Sequence, residues 1–215
     1  MNLYPISLKL EGRLCLVVGG GAVGERKISG LLECGAAVRV VSPRLTETVE
    51  GWAAEGRVAL ERREFLPEDL AEVFLVVVAT DSEAVNEKIA ALAAQRRLLV
   101  NVADRPALCD FYLPAIARRG PLSIAVSTGG VSPGLAARLR DEAALLCGPE
   151  YEEYLALLAE YRRRIFARYP REEDRRELML ALTGAEALRR LDEGGLSALR
   201  AHLAEVWQKH EDESA

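Results

Sequence analysis

A doubly wound parallel α/β sheet, followed by a short antiparallel pair and a helical tail, is the architecture that three features of the chain predict. An apolar run at Leu14–Val18 stops at the glycine-rich turn Gly19–Gly24. Strand and helix periods then alternate to about residue 110, and beyond Ser132-Pro133 only helical periods remain.

The first unit reads as a strand over Leu14–Val18, a tight turn, and a helix over Glu25–Cys34. Gly19, Gly21 and Gly24 stand at Gly-x-Gly-x-x-Gly spacing. In such a turn the first glycine allows the reversal, the second lets backbone approach a pyrophosphate, and the third lets helix pack closely on strand. The helix N-terminus then faces the phosphates. The strand–turn–helix context gives the motif its weight, so Gly19, Gly20, Gly21, Ala22, Val23 and Gly24 are expected to hold a dinucleotide in a Rossmann-type domain.

A second strand follows over Ala37–Val41, a helix over Leu45–Glu55, and strands over Val58–Glu64 and Val73–Ala79. Ser82 caps a helix running to about Arg96, and Leu98–Ala103 is the fifth strand. The uninterrupted apolar stretch Phe74–Val78 suits a parallel sheet covered on both faces. Phe111–Ala117 and Leu122–Ser127 are joined by Arg118-Arg119-Gly120-Pro121 with no helix between them, which reads as an antiparallel pair. The tail helices break near Gly148-Pro149, Pro170, Gly184 and Gly194-Gly195. Their mixed charge reads as solvated helix surface.

Composition narrows the function. A net charge of −5 and a pI near 5.3 argue against a nucleic-acid partner. The first residues carry neither a basic leader nor an apolar core, and the longest apolar run, Val73–Ala79, is too short to cross a bilayer, so no membrane association and a cytoplasmic location are expected. Cys15, Cys34, Cys109 and Cys147 lack Cys-x-x-Cys spacing and are expected as reduced, buried thiols. His202 and His210, the only histidines, are expected as solvated residues of the last helix, leaving no protein-built metal site.

The place about 20 residues beyond the glycines, where an acidic residue would accept from a ribose hydroxyl, holds Ser42-Pro43-Arg44. Without that acid, NAD and NADP both stay open, and Arg44 is either a phosphate contact or an exposed loop arginine. Two further strand ends carry carboxylates, Thr80-Asp81 and Asn101-Val102-Ala103-Asp104. Asp104 is the favoured acid–base residue, with a plain turn aspartate as the alternative, whereas Asp81 reads as a helix cap. Ser127, Thr128, Gly129 and Gly130 open a second small-residue loop that ends at a helix start and can point N–H groups at an anion, with Arg118, Arg119, Arg138 and Arg140 around it in sequence. No Tyr-x-x-x-Lys dyad occurs.

Taken in order, these segments resemble the precorrin-2 dehydrogenase and sirohydrochlorin ferrochelatase family, equivalent to the N-terminal module of siroheme synthase. The resemblance rests on Tyr4-Pro5, Val17–Lys27, Val41-Ser42-Pro43, Ala79-Thr80-Asp81, Asn101–Asp104, Phe111–Pro114 and Ser127–Pro133, and covers residues 4 to about 140. It implies an NAD-binding domain over 1–110, a dimerisation and substrate segment over 111–147, and a helical domain over 148–215. It also implies a homodimer, a tetrapyrrole substrate, and NAD as cofactor, held by the glycine turn with Ser42, Pro43, Thr80 and Asp81. The implied chemistry is oxidation of precorrin-2 to sirohydrochlorin with Asp104 as catalytic residue, and insertion of Fe2+ as a second activity. Ser127, Thr128, Gly129 and Gly130 are implied at the substrate, Thr128 standing where relatives often carry serine. The competing expectations are an NAD-sensing module without turnover and a dehydrogenase without chelatase activity.

Overall fold

The structure, a computed structural model, describes residues 3–213. Two compact units make up the chain, one built from the chain up to Leu113 together with Gly129–Val131, the other from Pro114–Thr128 and the chain from Ser132 onward.

The first unit is a five-stranded parallel sheet in the order β3-β2-β1-β4-β5, formed by β1 (Leu14–Gly20), β2 (Ala37–Leu45), β3 (Val58–Glu61), β4 (Leu75–Val78) and β5 (Leu99–Val102). Alternation sets the two faces. Cys15, Val17, Leu75 and Val77 meet α1 (Ala22–Glu33) and α2 (Glu47–Ala54) through Ile28, Leu31 and Val49. Leu16, Val18, Val76 and Val78 meet α3 (Glu83–Gln95) through Ile89, Ala90 and Ala93. Every residue of β4 is buried, as its unbroken apolar run predicts. The chain leaves β1 on one side for β2 and β3 and on the other for β4 and β5, which makes the carboxyl ends of β1 and β4 the crevice of the sheet.

Element limits depart from the sequence reading where local hydrogen bonds intervene. α1 starts inside the glycine motif, at Ala22. β2 runs on to Leu45, which pairs with Gly20 beyond an irregularity, so α2 starts later, capped by Thr46. β3 ends at Glu61 because Arg63 turns toward Asp69, whose carboxylate takes the guanidinium fork at 2.8 and 2.7 Å and the Leu66 N–H at 2.8 Å. That pairing fixes an unforeseen 3-10 turn at Pro67–Leu70 and holds the buried Asp69 carboxyl below the usual carboxylate range.

In the second unit, β6 (Ala115–Arg119) and β7 (Leu122–Val126) form the expected antiparallel pair, turned by Gly120 at φ 53 and Pro121. Pairing begins at Ala115 rather than Phe111, since Pro114 has no N–H and Asp110 is bonded back to β5. Ser132 caps α4 (Pro133–Ala144) through the Leu135 N–H. The tail consists of α5 (Glu150–Arg168), α6 (Glu172–Leu182) and α7 (Ala185–Glu213), the last kinked at Gly195, φ 63. Tyr154, Tyr161, Ile165, Leu178, Leu182, Leu199, Leu203 and Trp207 form its core.

Two expectations fail. His202 and His210 are half-buried in the tail with buried Nε2 atoms, and His210 lies edge-on to Tyr169 at 5.0 Å, so neither is a solvated histidine. All four cysteines are free, but only Cys15 is fully buried. Among the described residues no helix is long and apolar enough to cross a membrane.

Candidate active site

The carboxyl ends of β1, β4 and β5 lie along one rim of the first unit, and each expected residue there has a definite place. Gly19 sits at φ 110, and a Cβ on it would collide with the Ala79 carbonyl. A Cβ on Gly24 would collide with the Gly19 carbonyl, so helix and strand touch where the motif requires. Gly21 differs from both: a Cβ there would meet nothing within 4 Å. It is the N-cap of α1, without a side-chain hydrogen bond. Open space in front of uncapped helix N–H groups fits a dinucleotide's pyrophosphate. Ala22 and Val23 begin the helix with exposed side chains beside it.

At the end of β2, Ser42 is buried and its hydroxyl donates to the Arg44 carbonyl at 2.5 Å, shaping the loop rather than pointing outward. Pro43 is exposed. Arg44 is exposed and loosely paired with Asp81 at 3.8 Å, a contact across the rim from the end of β2 to the end of β4. Asp81 is not the cap of α3. Ser82 takes that role by accepting from the Val85 N–H, and Asp81 projects into solvent. Thr80 is tied down, donating to the buried Asn86 Oδ1 at 2.6 Å while its carbonyl accepts from Asn86 Nδ2.

Asp104 follows β5, exposed and in the left-handed region at φ 58. A brace that sequence reading missed surrounds it. The buried Asn101 amide donates to the Phe111 carbonyl at 2.9 Å, and the Asp110 carboxylate accepts from the Val100 N–H at 3.0 Å. The Cys109 sulfur accepts from the Val102 N–H at 3.2 Å and lies 3.2 and 3.3 Å from the Val102 and Arg105 carbonyls, pinning both sides of the Asp104 turn. Burial raises this thiol's pKa, so it stays protonated and able to donate. Arg105 pairs with Glu83 at the start of α3.

The loop expected at the substrate has its own internal bonds. Thr128 Oγ1 donates to the Ser132 carbonyl and accepts from the Ser132 N–H, both at 3.0 Å, and Gly129 and Gly130 carry φ 63 and 84. Ser127 takes part in a further contact. Arg138 pairs with Glu142 and Arg140 with Asp141, which leaves these arginines engaged locally. Residues Gly130-Val131-Ser132-Pro133-Gly134 also spell Gly-x-Ser-x-Gly. The Ser132 hydroxyl accepts from the Leu135 N–H as a helix cap, at φ −146, so the pattern here is a capped helix start and not a strained nucleophile turn.

An NAD(P)-binding family matches residues 6–115, and the family described as sirohaem biosynthesis protein central matches residues 119–142. Siroheme synthase of Nitrosococcus oceani is 42% identical over 165 residues, covering 77% of this chain and 35% of that protein. Siroheme synthase of Methylobacillus flagellatus is 37% identical over 99% of this chain and 46% of its own length. The chain thus spans between a third and a half of these curated relatives. Among solved structures, SirC, a precorrin-2 dehydrogenase, is 32% identical with a TM-score of 0.78, covering 96% of this chain and 100% of its own.

Proposed function

The chain belongs to the NAD(P)-binding family whose pattern spans residues 6–115, and from that premise, together with its likeness to siroheme synthases and to SirC, we propose that it oxidises precorrin-2 to sirohydrochlorin. The observation that carries the proposal is a braced, exposed Asp104 on the same strand-end rim as the open, uncapped helix start at Gly21. NAD+, when bound, supplies the hydride acceptor. The backbone N–H groups at Gly21, Ala22 and Val23 would hold its pyrophosphate, with the rim residues Pro43, Thr80 and Asp81 beside it. The Asp104 carboxylate takes the proton from the carbon skeleton as hydride departs, which balances precorrin-2 and NAD+ against sirohydrochlorin, NADH and a proton. Ser127, Thr128, Gly129 and Gly130 belong to the substrate site in this reading. Incubating the protein with precorrin-2 and NAD+ while following sirohydrochlorin absorbance tests it, and a folded, NAD-bound protein that yields no sirohydrochlorin refutes it.

Insertion of Fe2+ into sirohydrochlorin is proposed as a second activity of the same carboxylate, which would take up pyrrole protons while the macrocycle nitrogens receive the metal. Equal rates of metal insertion with and without protein would remove this part alone. A homodimer is proposed through α4 and the turn that follows it, where Leu135, Leu139, Leu145 and Leu146 are 49%, 42%, 85% and 78% exposed. The cytoplasm is the proposed compartment, in keeping with four free cysteines.

A further inference from the structure

Tyr112 stands in the Phe111–Pro114 segment, and no step of the chemistry above uses it. Its side chain is half-buried and meets two other segments of the first unit. The hydroxyl donates to the Pro106 carbonyl at 3.4 Å, a long hydrogen bond. Pro106 opens the 3-10 turn Pro106–Leu108, two residues after Asp104, and its carbonyl also accepts from the Cys109 N–H at 3.1 Å. The hydroxyl is thus a further tie on the stretch that follows Asp104, beside those made by Asn101, Cys109 and Asp110. The ring edge lies against Gly130. A Cβ built there would rest 3.7 Å from one ring carbon and 4.0 Å from the next, and among the described residues none beyond its chain neighbours comes closer than 4 Å apart from Tyr112.

Gly129 and Gly130 are consecutive left-handed residues, φ 63 and 84, and glycine gives up more chain entropy on folding than any other residue. Thr128 and Ser132 close the base of this loop through their two 3.0 Å bonds, while Val131 beyond the glycines is 88% exposed. The glycines have no side chain of their own to pack, so a ring beside Gly130 limits where they can move. A tyrosine side chain is stiff, with two torsions between backbone and ring, so a held hydroxyl also holds the ring edge. The segments at its two ends carry Asp104 and part of the substrate loop, and this inference rests on the functional reading given to both above. We propose that Tyr112 is a positioning residue that ties the Asp104 turn to Gly129 and Gly130, and so fixes how the macrocycle lies relative to its proton acceptor. It exchanges no proton in the reaction.

Tyr112→Phe keeps the ring and removes the hydroxyl, whereas Tyr112→Leu removes both. Each is compared with wild type in precorrin-2 kinetics at saturating NAD+, in sirohydrochlorin and NAD+ binding, and in hydrogen exchange of the amides at Gly129–Val131. Tyr112→Phe is expected to lower kcat about two- to tenfold, the range that one neutral hydrogen bond gives, with the precorrin-2 KM and the sirohydrochlorin Kd within about twofold of wild type. Tyr112→Leu is expected to lower kcat alike and also to raise KM and the sirohydrochlorin Kd about two- to tenfold, with faster loop exchange by a similar factor. Tyr112→Phe restores KM and loop exchange, because it keeps the ring. NAD+ affinity holds within about twofold in both variants, since the cradle at Gly21 lies two strands from β5. Equal KM and equal loop exchange in Tyr112→Leu and wild type would overturn the proposal, as would a Tyr112→Phe protein whose kcat equals that of wild type. A joint fall of melting temperature, NAD+ affinity and turnover in both variants would make Tyr112 a packing residue and overturn it too. Loop exchange reports the tie without any substrate, so the functional reading fails separately, when wild type neither binds sirohydrochlorin nor oxidises precorrin-2.

Discussion

Replacing Asp104 separates chemistry from backbone strain. The residue sits at φ 58, a conformation that costs an ordinary side chain about 1–2 kcal/mol and that asparagine tolerates and glycine adopts freely. Asp104→Asn is therefore expected to fold with little change, and Asp104→Gly to be equal to wild type or up to about 1 kcal/mol more stable. Both lose the proton acceptor. General-base catalysis contributes roughly 10²–10⁴ in rate, or about 3–5 kcal/mol of barrier, so kcat for precorrin-2 oxidation should drop by that factor in both variants. The cofactor cradle at Gly21 lies two strands away, so the Kd for NAD+ should stay within about twofold. Sirohydrochlorin formation measured at saturating NAD+, beside a thermal melt of each variant, makes the comparison. An Asp104→Gly protein that melts normally and turns over within threefold of wild type refutes the assignment of Asp104 as base, because neither misfolding nor a residual carboxylate could account for it.

Gly24→Ala places a methyl group against the Gly19 carbonyl, a backbone atom that cannot yield, so a loss of about 1–3 kcal/mol in urea unfolding and at least tenfold weaker NAD+ binding are expected. Asp69 titrates below its ordinary value of 3.8 in the folded chain, so its contribution is intact above that pH and is lost as the pH falls further. Asp69→Asn should cost roughly 1–3 kcal/mol near neutrality, the exposed side of Arg63 holding the figure down, and should flatten the acid limb of stability against pH, readable from urea midpoints. A Leu139→Glu, Leu146→Glu double variant should convert the proposed dimer to monomer in light scattering; a wild type already monomeric at micromolar concentration would refute that interface.

Periodicity and glycine spacing made the first unit legible because both report backbone constraints that act within a few residues. The face alternation of β1 and β4 and the caps at Ser82 and Ser132 follow from the letters alone. The limits of β3 and β6 do not, since they depend on the Asp69 carboxylate reaching the Arg63 guanidinium and the Asp110 carboxylate reaching the Val100 N–H, pairings that no local pattern encodes. The same holds for the tail histidines. A polar residue on a charged helix reads as solvated, and only the packing of His210 on Tyr169 reveals otherwise. Cysteine spacing predicts no more for Cys109 than a reduced, buried thiol, while in the structure its sulfur bonds backbone groups on both sides of the Asp104 turn.

The two rim carboxylates show why geometry carries more than position at a strand end. Asp81 and Asp104 both follow parallel strands and both are exposed, so the rule that ligands meet strand carboxyl ends does not choose between them. Among the described residues Asp81 reaches Arg44 alone, at 3.8 Å, and that exposed, water-screened pair fixes little. Asp104 occupies a strained turn held by Asn101, Cys109 and Asp110, three side chains from two segments that together spend their hydrogen bonds on backbone groups between Val100 and Phe111. A conformation with an intrinsic cost persists only when its surroundings over-determine it, and a proton acceptor for an oriented carbon needs that fixity. Weakening the brace without touching the carboxylate, as Cys109→Ala would, should therefore lower kcat while leaving the NAD+ Kd in place, whereas equal kcat in Cys109→Ala and wild type would mean that the turn keeps its shape without the sulfur and that the brace plays no part in turnover.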